Sequence, residues 1–155
     1  YEVSAAGTIS EVSATDIAVG NDTRLFFNSD VPDGSHLIVT ETDAAGNTSG
    51  TFVVLDDQAA ASNVTLSNPA LGEYNIESVD LGRSEEASLT VDEAALLALS
   101  SNSNELLIRG GSDDNVTISG AVANGNSAHD GQVYDDYTMG TEGTIIVDDD
   151  INVIT

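Results

Sequence analysis

The sequence has no cysteine, its only Lys or Arg residues are three arginines, and only 5% of its residues are aromatic. Without cysteine the chain cannot form a disulfide, and zinc sites built on cysteine are excluded. With so few basic residues, it lacks the surface that nucleic acids or an anionic membrane would need. Apolar runs end after about six residues, far short of the roughly 20 that a membrane-spanning helix requires. No signal-peptide pattern is present either.

Acidic residues are abundant: 27 Asp and Glu give the chain a formal net charge of −24. Self-repulsion at this level must be screened, bound by cations or tolerated in a disordered chain. Runs rich in Val, Ile and Thr favour a folded chain. Many of the acids lie in turns beside Gly and Asn, and Ca²⁺ prefers carboxylate and carbonyl oxygens. We therefore expect Ca²⁺ as the cofactor, stabilising the fold in place of disulfides.

Short strand-like runs separated by turn signals predict an all-β fold. The runs HLIVTET (residues 36–42) and GTFVVL (residues 50–55) flank the turn sequence DAAGN, a hairpin pattern. Hairpins at this spacing are typical of sandwiches, so we predict an antiparallel, immunoglobulin-like β-sandwich. No part of the chain visibly repeats another, and a tandem calcium-binding nonapeptide is absent. Residues 124–131 are predicted to form a loop or a hairpin tip.

One short helix is predicted near residues 91–100. Thr90 and Glu93 have the spacing of a capping box, in which each side chain bonds the other's backbone amide. The apolar run AALLAL follows, and the acids at its start suit the positive end of a helix.

Catalytic motifs are missing. His36 and His129 are the only histidines, and neither lies in a nucleophile elbow or a spaced metal motif. Paired carboxylates occur throughout so acidic a chain, so no glycosidase dyad can be singled out. We predict that the protein is not an enzyme.

Two stretches resemble modules of giant bacterial RTX-type adhesins. The first, VPDGSHLIVTETDAAGNTSGTFVVLDD, covers roughly residues 30–57 and resembles the closing strands of bacterial immunoglobulin-like repeats. The second is the ordered series LTVDEAALLALS, NELLIRGGSDDNVTI, HDGQVYDDYTMG and GTIIVDDDINVI within residues 76–154. It resembles a module of the ligand-binding and C-terminal regions of the same adhesins.

The resemblance implies two segments, residues 1–57 and residues 58–155. The first is short for an immunoglobulin-like domain of about 100 residues, so it is either truncated or completed by the later part of the chain. The implied protein is secreted to the cell surface by a type I-like route, where it acts in cell adhesion and biofilm formation. Its expected partners are the neighbouring domains of the same adhesin, with no nucleic acid and no membrane insertion.

Three groups of acidic residues are candidate calcium ligands. For any single Asp, a solvated turn residue that caps backbone amides is the simpler interpretation. We expect a site at the segment junction, a second at one end of the later sandwich, and a third at a junction with a next domain. Their residues are respectively Asp56 and Asp57 together with Asp33, Asp43 or Asn47; Asp113, Asp114, Asp130, Asp135 and Asp136; and Asp148, Asp149 and Asp150.

Two functions remain open from the sequence. The chain is predicted to be a calcium-stabilised structural extender, or spacer, that projects a ligand-binding domain away from the cell. The alternative is a calcium-dependent domain that binds a peptide or a glycan on another cell. In that case Arg109, Tyr134 and Tyr137 would line an open calcium site, although the two tyrosines could equally pack on a strand.

Overall fold

The computed structural model describes residues 1–20, 22–55, 62–129 and 131–155. Strands hold 51% of these residues and helices 9%, which confirms the predicted all-β class. The strands are β1 (Glu2–Val3), β2 (Ile9–Ser10), β3 (Ala14–Val19), β4 (Asp22–Phe27), β5 (His36–Thr42), β6 (Thr48–Val53), β7 (Ser62–Thr65), β8 (Ile76–Asp80), β9 (Ala87–Thr90), β10 (Glu105–Arg109), β11 (Asn115–Thr117), β12 (Val122–His129), β13 (Gln132–Met139), β14 (Gly143–Asp148) and β15 (Asn152–Ile154).

The strands form two facing sheets and one separate ribbon. The large sheet has nine strands in the order β12-β13-β14-β10-β8-β6-β5-β1-β2, and the small sheet has four in the order β15-β11-β9-β7. The ribbon pairs β3 with β4 only. Apolar side chains from both sheets meet in one buried cluster, so the sheets pack as a sandwich.

The centre of this sandwich is parallel, contrary to the predicted antiparallel arrangement. In the large sheet β6, β8, β10 and β14 are parallel neighbours, and all pairings in the small sheet are parallel. The antiparallel prediction holds for the hairpins β5–β6, β3–β4 and β12–β13. An alternating pattern of apolar residues reports which face of a strand is buried, but not the direction of its neighbour, so the sequence could not reveal this.

The parallel strands arise from four stacked coils, each contributing one strand to each sheet. The coils are β6–β7, β8–β9, β10–β11 and β14–β15, and the hairpin β12–β13 is inserted between the last two. Equivalent residues therefore form buried columns across neighbouring coils, as in a β-solenoid. One column is Phe52, Val79, Ile108 and Val147, and the other is Val64, Leu89, Val116 and Val153. The expectation that nothing in the chain repeats was wrong.

The core is continuous across the predicted boundary near residue 57. Strand β6 from the first segment pairs with β8 from the second. Val3, Ile38 and Phe52 belong to the same buried cluster as Val79 and Ile108. Strands β1, β5 and β6 of the first segment therefore share one core with residues 62–155, and the boundary itself lies outside the described residues.

The helices lie on the long connections between the sheets. A 3₁₀ helix (Pro69–Tyr74) follows β7, and α1 (Glu93–Leu99) follows β9 and packs against it. The predicted helix is thus confirmed, but its N-cap is Asp92, whose carboxylate accepts the amide of Ala95 at 2.7 Å, rather than Thr90. The predicted loop at residues 124–131 is largely strand β12. Within the described residues, no helix is long and apolar enough to span a membrane.

Candidate metal centre

Short turns join the large sheet to the small sheet along one edge of the stacked coils. These turns follow β8, β10 and β14, and because the coils are stacked in register, the turns lie beside one another. We call this the acidic edge, because it carries eight carboxylates and two arginines, Arg83 and Arg109. The acids are Asp80, Glu85, Glu86, Asp113, Asp114, Asp148, Asp149 and Asp150.

Asp114 is the most deeply buried acid of this edge, with 1% of its surface exposed. Its Oδ1 accepts the amide of Ala87 in the neighbouring coil at 2.9 Å, and its Oδ2 accepts the amide of Gly111 at 2.9 Å. Gly110 leaves room for this carboxylate, since a Cβ there would lie 2.6 Å from Oδ2. Asp114 therefore holds two turns together by capping backbone amides, as the simpler interpretation anticipated, but it is buried rather than solvated.

The surroundings of Asp114 destabilise the ionised form of its carboxyl group. Burial raises the pKa of its carboxyl above the usual value, and the nearby charges of Asp113 and Asp80 raise it further. The two backbone amides act in the opposite direction, because they stabilise the ionised form. A buried carboxylate beside other acids favours the approach of a cation to this edge.

Asp148, Asp149 and Asp150 form the most compact group on the acidic edge. One ligand atom from each lies within 4.8 Å of the others, and within the described ranges this is the only group of three acids or histidines placed in this way. Asp148 is 8% exposed, whereas Asp149 and Asp150 face solvent. The arrangement combines one fixed carboxylate with two that can adjust to an ion.

The side chain of Gln132, on β13, supports this group. Its amide donates to Asp148 at 3.1 Å and to Asp149 at 3.4 Å. Asp148 also accepts the backbone amide of Asp150 at 3.3 Å, which closes the turn. Neutral donors thus hold the two carboxylates near each other without cancelling their charge. Sequence analysis missed Gln132 because its role depends on the pairing of β13 with β14.

The two arginines of the acidic edge are placed as counter-charges. Arg109 lies beside Asp80 in the parallel register of β8 and β10, and the next strand in the row, β14, ends with Asp148. Arg83 pairs with Asp80 at 4.0 Å. This position favours a structural role for Arg109 over the ligand-binding role predicted from the sequence.

Asp33 and Asp43, the alternative acidic partners predicted for Asp56 and Asp57, lie far apart. Asp33 precedes β5 and Asp43 follows it, so the length of a seven-residue strand, about 20 Å, separates them. They cannot share one ion. Asp43 instead accepts the amides of Ala45 and Asn47 at 2.8 and 2.9 Å, and the side chain of Asn47 at 2.8 Å. These hydrogen bonds, led by that from the Asn47 side chain, lower the pKa of Asp43. Asp56 and Asp57 lie outside the described residues.

Among the described residues, the second predicted cluster is not assembled. Asp135 and Asp136 are adjacent on β13, so their side chains project to opposite faces of the sheet. Asp136 accepts the hydroxyl of Ser127 at 2.7 Å. Neither joins Asp113 or Asp114 in a group of three, and Asp130 lies outside the described residues.

The two tyrosines predicted to bind a ligand are both buried. Tyr137 is 9% exposed and belongs to the core, where burial raises the pKa of its hydroxyl. Tyr134 is 3% exposed and meets the ring of His129 edge-on, with ring centroids 5.4 Å apart. Both positions favour the packing interpretation of these residues.

Comparisons of the chain with models of protein families, with curated proteins and with solved structures found no match.

Proposed function

We propose that the protein is a calcium-stabilised structural module of a bacterial surface adhesin of the RTX type, acting as an extender that holds a ligand-binding domain away from the cell. The observation that carries the calcium part is the acidic edge. There, eight carboxylates and two arginines lie on stacked turns, and three of the acids are within reach of one ion. The adhesin part rests on the two sequence resemblances.

The Asp148–Asp150 turn is the best candidate for the ion. Ca²⁺ takes six to eight oxygens and tolerates irregular geometry. Three carboxylates supply several of these oxygens, and water can complete the shell at the exposed side. An ion there would also screen the charges of Asp80, Asp113 and Asp114, so its binding would stabilise the stack of coils.

A structural role agrees with the surface of the described chain better than ligand capture does. Four surface grooves of the described chain, of about 180 to 550 Å³, are lined by residues other than Arg109, Tyr134 and Tyr137. A continuous parallel core, with each coil bonded to the next, suits a module that resists deformation. The immunoglobulin-like character of the first segment is part of this proposal and rests on the β5–β6 hairpin and its turn sequence.

The test is a thermal melt with chelator and with calcium titrated back, on the unaltered chain and on two double variants. Asp149→Asn with Asp150→Asn removes two exposed candidate ligands. The matched control, Glu11→Gln with Asp16→Asn, removes two exposed acids from the opposite end of the chain. We expect calcium to raise the Tm of the unaltered chain and the control, and to raise that of the Asp149/Asp150 variant much less. A Tm that does not respond to calcium in the unaltered chain would overturn the proposal.

A further inference from the structure

Strand β12 contains the only Asn-Gly pair of the chain, Asn124 and Gly125. In such a pair, the backbone nitrogen of the second residue can attack the side-chain carbonyl carbon of the asparagine. Glycine favours this attack, because it has no side chain to obstruct the approach and its backbone is the most permissive. Asn124 is therefore the asparagine of this chain with the most reactive sequence context.

The Asn-Gly pair lies at a β-bulge. The register between β12 and β13 skips between Ala123 and Asn126, so Asn124 and Gly125 both lie opposite Asp136. A bulge disrupts the regular ladder, since two residues on one strand oppose a single residue on the other. Gly125 also has a positive φ of 104°. The pair thus occupies the least regular part of its strand.

The surroundings of the pair leave room for movement. Asn124 and Gly125 are both exposed, and a Cβ built on Gly125 would have no other heavy atom within 4 Å. Strand β12 is the outermost strand of the large sheet, and β13 is its only partner among the described strands. The pair can therefore reach the geometry of ring closure by a local movement that leaves the core intact.

From the sequence, the bulge and the exposure, we propose that Asn124 is a site of spontaneous deamidation in the folded protein. Base removes the proton from the backbone nitrogen of Gly125, and this nitrogen bonds to Cγ of Asn124. The side-chain nitrogen takes up a proton and leaves as ammonia, which gives a cyclic imide. Water then adds to one of the two imide carbonyl carbons and opens the ring. The products are aspartate and isoaspartate, the latter with its backbone running through the former side chain.

Deamidation changes the charge of the edge of the large sheet. Strand β12 reads VANGNSAH and contains no Asp, Glu, Lys or Arg, so the reaction gives this strand its first carboxylate. A charge on an edge strand disfavours pairing with a strand of another molecule. Because Asn124 and Gly125 lie outside the buried cluster, we expect the modified chain to keep its fold.

Other asparagines of the chain provide internal comparisons. Asn115 and Asn152 are each followed by valine, whose branched side chain crowds the backbone nitrogen. Asn152 also donates from Nδ2 to Oδ1 of Asn115 at 2.7 Å. Asn102 donates its side-chain amide to the carbonyl oxygen of Thr48 at 2.9 Å. These three side chains should remain unmodified while Asn124 reacts.

The test incubates the full chain at neutral and at mildly alkaline pH in water enriched in a heavy oxygen isotope. Mass spectrometry of its peptides locates each residue that exchanges an amide nitrogen for labelled oxygen. An isoaspartate-specific methyltransferase provides a second readout. A sample unfolded in urea gives the rate without structure. The matched control is Asn124→Gln, which keeps the amide but must close a larger ring, a much slower reaction; circular dichroism establishes that it is folded.

The expected result is label and isoaspartate at residue 124, formed faster at the higher pH and absent from Asn124→Gln. The folded chain should react within about tenfold of the unfolded rate, because a local movement suffices. If the reaction required global unfolding, the folded chain would react about 10³-fold more slowly or less. Such a rate would overturn the proposal, as would label that appears at Asn115 or Asn152 as fast as at Asn124.

Discussion

The coils and the β3–β4 ribbon use similar apolar residues in opposite ways. In the coils, Val79, Ile108 and Val147 are each 0% exposed, and both neighbouring strands are hydrogen-bonded. In the ribbon, Ile17 is 46% exposed and Phe26 is 52% exposed, and each strand has one partner. A two-stranded ribbon is marginally stable by itself. Stability in this molecule is therefore concentrated in the stacked coils, and the ribbon adds little to it.

The largest effect that would test this contrast is the loss of a buried column residue. Ile108→Ala should lower the free energy of unfolding by about 2–5 kcal/mol, because it removes buried methyl groups and leaves a cavity. Ile17→Ala, the matched change in the ribbon, should cost less than about 0.5 kcal/mol, as for an exposed position. Denaturant unfolding of the two variants measures both values. Equal losses would show that the ribbon is part of the same cooperative core.

The next effect concerns Asp114, whose carboxylate links the turn after β10 to the neighbouring coil. Asp114→Ala leaves the buried amide of Ala87 and the partly buried amide of Gly111 without their acceptor. We expect a loss of about 2–4 kcal/mol, since each unsatisfied buried donor costs about 1–3 kcal/mol. Asp43→Ala, which breaks a similar set of bonds at an exposed turn, is the control and should cost much less. Chemical denaturation at neutral pH measures both variants, and a smaller loss for Asp114→Ala than for Asp43→Ala would contradict the structural role given to Asp114.

A smaller effect is expected where β6, which belongs to the first segment, packs against β8 of the next coil. A Cβ added to Gly50 would lie 2.6 Å from the carbonyl oxygen of Tyr74 and 2.8 Å from Cδ1 of Ile76. Gly50→Ala should therefore cost about 1–3 kcal/mol through a forced backbone shift. Gly46→Ser is unsuitable as a control because Gly46 has a positive φ of 90°, so Ser49→Ala on the same strand serves instead. A Tm equal to that of the control would contradict this expectation, because it would show that β6 and β8 can move apart to admit the Cβ without loss of stability.

The smallest effect is a difference in pH dependence. The pKa of Asp114 is raised in the folded state, so the folded chain holds this proton more tightly than the unfolded chain does. Its contribution to stability is therefore greatest below the unfolded pKa and falls as the pH rises through the folded pKa. In the presence of chelator, the free energy of unfolding should fall with rising pH more steeply in the unaltered chain than in Asp114→Asn. Denaturation at a series of increasing pH values measures this difference. Parallel curves would contradict the direction of the shift.

The hairpin and the helix could be predicted because their signals are local. The β5–β6 turn is encoded by Asp43 and Gly46, where the side chain accepts amides and glycine adopts a positive φ. Helix α1 begins after an acidic cap and contains the apolar run AALLAL. Both features depend on residues close together in the chain, so neither requires knowledge of the remaining fold.

The coils could not be predicted because their signal is distant and irregular. The column residues Phe52, Val79, Ile108 and Val147 recur at unequal intervals, and the β12–β13 hairpin interrupts the last one. The repeated triplets NVT, SLT, NVT and NVI become visible only once the strands are placed in register. The buried position of Asp114 follows from the same register, in which its counterparts are Ala87 and Ile151. No local pattern marks it as different from the exposed Asp113.

The most direct measurement of the central claim is amide hydrogen exchange with calcium and with chelator, resolved by peptide. Calcium that binds the acidic edge should slow exchange in the turns after β8, β10 and β14 and in the strands of the coils, because it stabilises the folded stack. Exchange in the β3–β4 ribbon should change little. Unchanged exchange throughout, or protection confined to the ribbon, would contradict the account of a calcium-stabilised parallel core.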